Sequence, residues 1–119
     1  MQETFDLSLE INSEWANFYC AMAYPGSPLF DHAKKSNWPL PGDKGGPGWI
    51  GYSQHSYESL PLPTNFLSSE EVLDFRDNAF DKYFTSPSYL SMIGQKFGQK
   101  HVSHIQDMVS LKIKRKHRD

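Results

Sequence analysis

The apolar positions along the chain change spacing twice. In residues 2–11, QETFDLSLEI, Phe5 and Leu9 stand four apart with Ile11 following, so a short helix is predicted that ends at the Asn12-Ser13 turn. No capping residue precedes it. Residues 15–23, WANFYCAMA, are apolar on both faces apart from Asn17 and open with strand-favouring aromatics, which predicts a strand covered on both sides. The peptide groups of such a strand need ladder partners, and no equally clear second strand follows. At YPGSPLF the pattern turns helical. Ser27 suits an N-cap and Pro28 the first helical position, so residues 28–36 are expected to form a short helix, with Asp31 early and Lys34-Lys35 late as the helix dipole favours.

Periodicity is then lost over residues 36–66, which hold most of the chain's eight prolines and eight glycines. A loop of this length inside a compact domain is usually functional or disordered, and Trp38, Trp49, Tyr52 and Tyr57 argue for an ordered, docked one. Helical spacing returns after Ser68-Ser69-Glu70-Glu71, a capping box with Ser68 as the cap and Glu71 three residues on. Val72, Phe75, Ala79, Phe80 and Tyr83 follow on one face. Ser86-Pro87 opens another helix, expected to end near Gly94 or Gly98. A last helix is expected to carry Val102, Ile105, Met108, Val109 and Ile113 on one face and to close in the basic run up to Arg118. There are no internal repeats.

Composition narrows the function classes. At 119 residues the chain makes one domain at most. A net charge of −2 gives no electrostatic pull toward nucleic acid or a membrane surface, and no apolar run approaches the ~20 residues of a membrane span. The start, Met1-Gln2-Glu3-Thr4, is acidic and polar where a signal peptide would be basic. The expectation is a cytoplasmic protein with neither a nucleic-acid nor a membrane partner. The single cysteine, Cys20, excludes an internal disulfide framework.

Three stretches carry candidate chemistry. GYSQHSYE gathers Tyr52, Gln54, His55, Tyr57 and Glu58 on one segment; His55 has the right intrinsic pKa for general acid or base work, with Tyr57 beside it. The plainer reading, tyrosines and Trp49 pinning a long loop while His55 makes a structural hydrogen bond, is preferred. His101 and His104 share a helix face at metal-ligand spacing, but no third ligand is near, and a polar helix face explains them. The basic run from Lys112 to Arg118 reads as a solvated helix end.

Taken in order, LEINSEWANFYCAMAYPGSPLF, GYSQHSYE, PLPT and LSSEEVLDFRDNAFDKYFTSPSYLSMIGQKFG resemble the C-terminal portion of a radical S-adenosylmethionine (SAM) enzyme. The resemblance is to the class whose longer members carry an N-terminal cobalamin-binding domain, and it covers almost the whole chain. It implies an α/β fragment: the last helix-strand-helix of a partial (β/α)6 barrel, then a long ordered loop and a mainly α-helical C-terminal extension. Residues 1–35 would be the last strand/helix unit, 36–66 the loop and 67–119 the extension. Residues 15–23 would be the sixth strand and residues 2–11 the helix before it.

The resemblance also implies cofactors and partners. SAM would be met at the strand's end by Ala21, Ala23, Tyr24, Pro25 and Gly26, where small residues let backbone approach a ligand. The family's Cys-x-x-x-Cys-x-x-Cys motif for the 4Fe-4S cluster is absent, and Cys20 cannot replace it. The chain is therefore expected to bind no metal and to be inactive alone. It would act with the remainder of the barrel in cis or in trans, on a small-molecule substrate, with cobalamin held by a missing domain. The alternative is a non-catalytic binding module or split subunit that docks on a partner chain.

Overall fold

The computed structural model describes residues 1–116. Five α-helices follow in order: α1 (Gln2–Ile11), α2 (Pro28–Lys35), α3 (Ser69–Phe84), α4 (Pro87–Phe97) and α5 (Gln99–Ser110). A 3-10 segment, Gly48–Tyr52, interrupts the long loop between α2 and α3. No residue among those described is in a β-strand.

The strand expected over residues 15–23 is therefore corrected, and with it the α/β barrel fragment with a helix-strand-helix: the chain is helical. Local hydrogen bonding gives the reason. The Cys20 N–H donates to Gln54 Oε1 at 2.9 Å and the Cys20 carbonyl accepts from Gln54 Nε2 at 2.9 Å. The Ala21 carbonyl accepts the Leu62 N–H at 3.1 Å. One carboxamide side chain offers the donor and acceptor that an adjacent strand would, for a single residue. The backbone of buried Cys20 is thereby satisfied without a ladder.

Helix ends follow the local chemistry of the sequence. At α2 the Ser27 hydroxyl accepts from the Phe30 N–H at 3.2 Å. At α3 the capping box is complete: Glu71 N–H donates to Ser68 Oγ at 3.2 Å and Ser68 N–H to Glu71 Oε2 at 2.8 Å. Ser86 caps α4 through the Tyr89 N–H at 3.2 Å. α1 has no side-chain cap, and Asn12 ends it in the left-handed region at φ 50°.

The chain divides into two compact units, each assembled from separated segments. One comprises residues 1–18 and 77–112. Its centre is aromatic: Tyr83, Phe84 and Tyr89 are fully buried, with ring centroids 5.1–5.2 Å apart. Phe18 lies 6.0 Å from Phe5 and 5.6 Å from Tyr83. Both buried phenols are satisfied, Tyr83 donating to the Ser13 carbonyl at 2.6 Å and Tyr89 to that of Glu14 at 3.0 Å. Lys96 pairs with Glu14. α4 packs against α5.

The other unit comprises residues 19–76 and the C-terminal segment from Ile113. It holds two small cores. Cys20, Met22, Tyr52, Val72 and Leu73 form one; Ala23, Ala33, Leu40 and Leu62 form the other, with Phe30 and Trp38 against it.

The C-terminal expectation is also corrected. α5 stops at Ser110, so Ile113 and the basic residues Lys114 to Lys116 lie outside any helix. Far from being a solvated end, Arg115 is fully buried and donates through Nη1 to the carbonyls of Gln54 at 2.8 Å and Ser56 at 3.0 Å. Lys116 N–H donates to the Tyr57 carbonyl at 2.9 Å and its ammonium pairs with Glu58 at 2.9 Å. His117 and Arg118 lie outside the described residues. Among the described residues no helix is long and apolar enough to cross a membrane.

Candidate functional site

Within the second unit the YPGS turn, α2 and the long loop enclose a cleft of about 240 Å³. Each wall has a local cause. Pro25 and Gly26 form the turn, where Gly26 takes φ 87° and the Ser27 N–H closes onto the Tyr24 carbonyl at 3.1 Å. Phe30 and Lys34, four apart, come from one face of α2, the Lys34 ammonium lying 4.7 Å from the Phe30 ring centre. From the loop come Leu40, Asp43, Trp49 and Tyr52. Asp43 Oδ2 accepts the Leu40 N–H at 2.8 Å, which fixes the loop's first bend. The 3-10 segment then sets Trp49 and Tyr52 three apart, their ring centroids 5.6 Å apart. It can pack tightly because Gly51 has no side chain: a Cβ there would meet Pro47 Cγ at 2.6 Å and Pro41 Cβ at 2.8 Å.

The walls are largely apolar, but three polar groups belong to the residues that form them. Tyr52 is only 8% exposed, and its hydroxyl is buried with no hydrogen-bond partner among the described residues. Burial, then the nearby Asp43 carboxylate, pushes this phenol above its usual pKa, so it stays protonated. Lys34 and Asp43 bear opposite charges, yet neither has an ion-pair partner among the described residues. Trp49, by contrast, is 77% exposed.

The residues predicted to meet SAM have different fates. Ala23 is buried in the small core against Ala33, and the Ala21 carbonyl is already held by Leu62. The Tyr24 carbonyl is taken by Ser27, through its N–H at 3.1 Å and its hydroxyl at 2.7 Å. Half-exposed Tyr24 stacks on Tyr52 with centroids 5.3 Å apart. Pro25 lines the cleft, and open space surrounds the position of a Cβ on Gly26. His55 and Tyr57 are exposed and not among the cleft walls; the His55 ring meets Tyr19 edge-on at 6.2 Å. His101 Nδ1 donates to the Phe97 carbonyl at 2.7 Å, and among the described residues no three His, Cys, Asp or Glu side chains converge as a metal site. Cys20 is buried and is the one cysteine of the sequence, and a single thiolate does not fit a 4Fe-4S cluster.

Lys34, Asp43 and Phe30 escaped the sequence reading as site residues. In the sequence Lys34 suits the helix dipole, and Asp43 lies in a stretch with no periodic signal. The structure nevertheless joins the stretches that carried the family resemblance. Tyr24 meets Tyr52, Cys20 meets Gln54, and Ala21 meets Leu62 of PLPT. Compared with protein-family models, curated proteins and solved structures, the chain matches none.

Proposed function

We propose that this chain is a C-terminal segment of a radical SAM enzyme, forming part of the rim of the SAM and substrate pocket and inactive without the cluster-binding part. The single observation that supports this reading is the convergence of its three motifs. GYSQHSYE (51–58) and PLPT (61–64) are near neighbours in sequence, but both lie well beyond YCAMAYPGS (19–27), and both join it through hydrogen bonds or a ring stack in one unit.

The rim contact falls to the exposed turn of Tyr24, Pro25 and Gly26, because Ala23 is buried and the Ala21 carbonyl is occupied. In the intact enzyme SAM, reduced by the cluster, would supply the radical chemistry. This chain's residues would shape and dry the pocket edge. No step is assigned to His55 or Tyr57. The cluster-binding part and a cobalamin-binding domain belong to the remainder of the enzyme, in cis or as a partner chain. The exposure of Tyr19 and Tyr24 favours a covered face in either case.

The test is the coding sequence directly upstream. It is expected to encode, in frame or as an adjacent gene, the Cys-x-x-x-Cys-x-x-Cys motif and a cobalamin-binding domain, and the joined product should cleave SAM. An upstream region with neither would overturn the reading.

A further inference from the structure

We propose that the cleft of Lys34, Asp43, Trp49 and Tyr52 binds a free α-amino acid with a planar apolar side chain. The inference goes beyond the radical SAM reading and stands on the cleft alone. Its first support is charge. Lys34 and Asp43 contribute one cation and one anion to the same cleft, and they do not pair with each other or with any other described residue. Asp43 spends one oxygen, Oδ2, on the Leu40 N–H and keeps the other available.

A simple anion would satisfy Lys34 and face Asp43; a simple cation would do the reverse. A zwitterion matches both, its carboxylate toward the Lys34 ammonium and its ammonium toward the Asp43 carboxylate.

The second support is the apolar wall of the same cleft. The Trp49 indole, the Tyr52 ring, Phe30 and Pro25 give flat apolar surfaces for a planar side chain. Trp49 is exposed, so a ligand ring would cover apolar surface that water now wets. The volume of about 240 Å³ holds one such residue; it lies below the range of about 300–1,000 Å³ typical of larger ligands.

The full-length chain, labelled with nitrogen-15, is titrated with L-phenylalanine while the Trp49 indole N–H resonance is followed. N-acetyl-L-phenylalanine, which lacks the ammonium, and L-phenylalaninamide, which lacks the carboxylate, are the controls. Phenylalanine is expected to bind at millimolar concentration or below, about three- to fivefold more tightly than either control, as for a partly exposed ion pair. Lys34→Met should abolish the preference over the amide. Asp43→Asn, which keeps an oxygen for the Leu40 N–H, should abolish the preference over the acetylated form. Equal binding of all three ligands to the unaltered chain would overturn the proposal, as would an unmoved Trp49 resonance.

Discussion

Arg115 couples the C-terminal segment to the GYSQHSYE stretch through two backbone carbonyls, and it is fully buried. Hydrogen bonds from a charged donor contribute roughly 1.5–3 kcal/mol, and losing the donor leaves its acceptors without it. Arg115→Met should therefore lower stability by about that amount in urea unfolding. Lys116→Met, which removes only an exposed ion pair with Glu58, should change little. Tyr89 offers a test by pH. Burial first, and Tyr83 second, push its phenol from 10.0 up to about 12. A raised pKa in the folded state means the folded chain holds the proton longer than the unfolded one. Its contribution is intact below pH 10.0 and is lost as pH rises through about 12. Thermal unfolding of the chain and of Tyr89→Phe across that window checks this: the phenylalanine variant should lose less stability with rising pH.

The elements separate into those whose ends are chemically marked and those that depend on packing. Ser27, Ser68 with Glu71, and Ser86 mark three helix starts, and each cap forms as its sequence implies. α4 carries a weakness inside it, Gly94. A Cβ there would meet Val102 Cγ2 at 3.5 Å, an ordinary van der Waals contact. Since glycine costs a helix interior roughly 0.5–1 kcal/mol against alanine, Gly94→Ala should stabilise the protein by about that much, seen as a higher Tm. α5 and the supposed strand show the other case. Ile113 continues the apolar spacing of α5, yet the helix ends three residues earlier and the chain departs to deliver Arg115. Residues 15–23 have the composition of a strand, but composition supplies no neighbour, and the neighbour here is a glutamine side chain.

For the molecule as a whole, two compact units share one continuous helix, α3, whose residues up to Arg76 belong to one and those from Asp77 to the other. Each unit is closed by a segment distant in sequence, so a sequential division of the chain does not describe its packing. At this scale the cofactor expectation can also be checked. The sequence contains one cysteine, which is buried. Anaerobic reconstitution of the chain alone with iron and sulfide should leave it without a stoichiometric cluster and without SAM cleavage. Four irons per chain together with cleavage would contradict the inactive-alone reading.

What the sequence determined by itself is local. Helix starts were legible because a cap acts across three residues, and the aromatic richness of the middle segment signalled an ordered loop for the same short-range reason. The candidate site was legible in part: the turn at Pro25 and the residue Tyr52 were singled out, whereas Lys34 and Asp43 were not. Tertiary structure decided the rest. The Gln54–Cys20 bonds span 34 positions and the Arg115 bond to Gln54 spans 61. Whether a backbone group is met by a strand, a side chain or a distant arginine depends on which segments pack together. No periodicity along the chain encodes that choice, because it is settled by the competition to satisfy buried polar groups once the chain has folded.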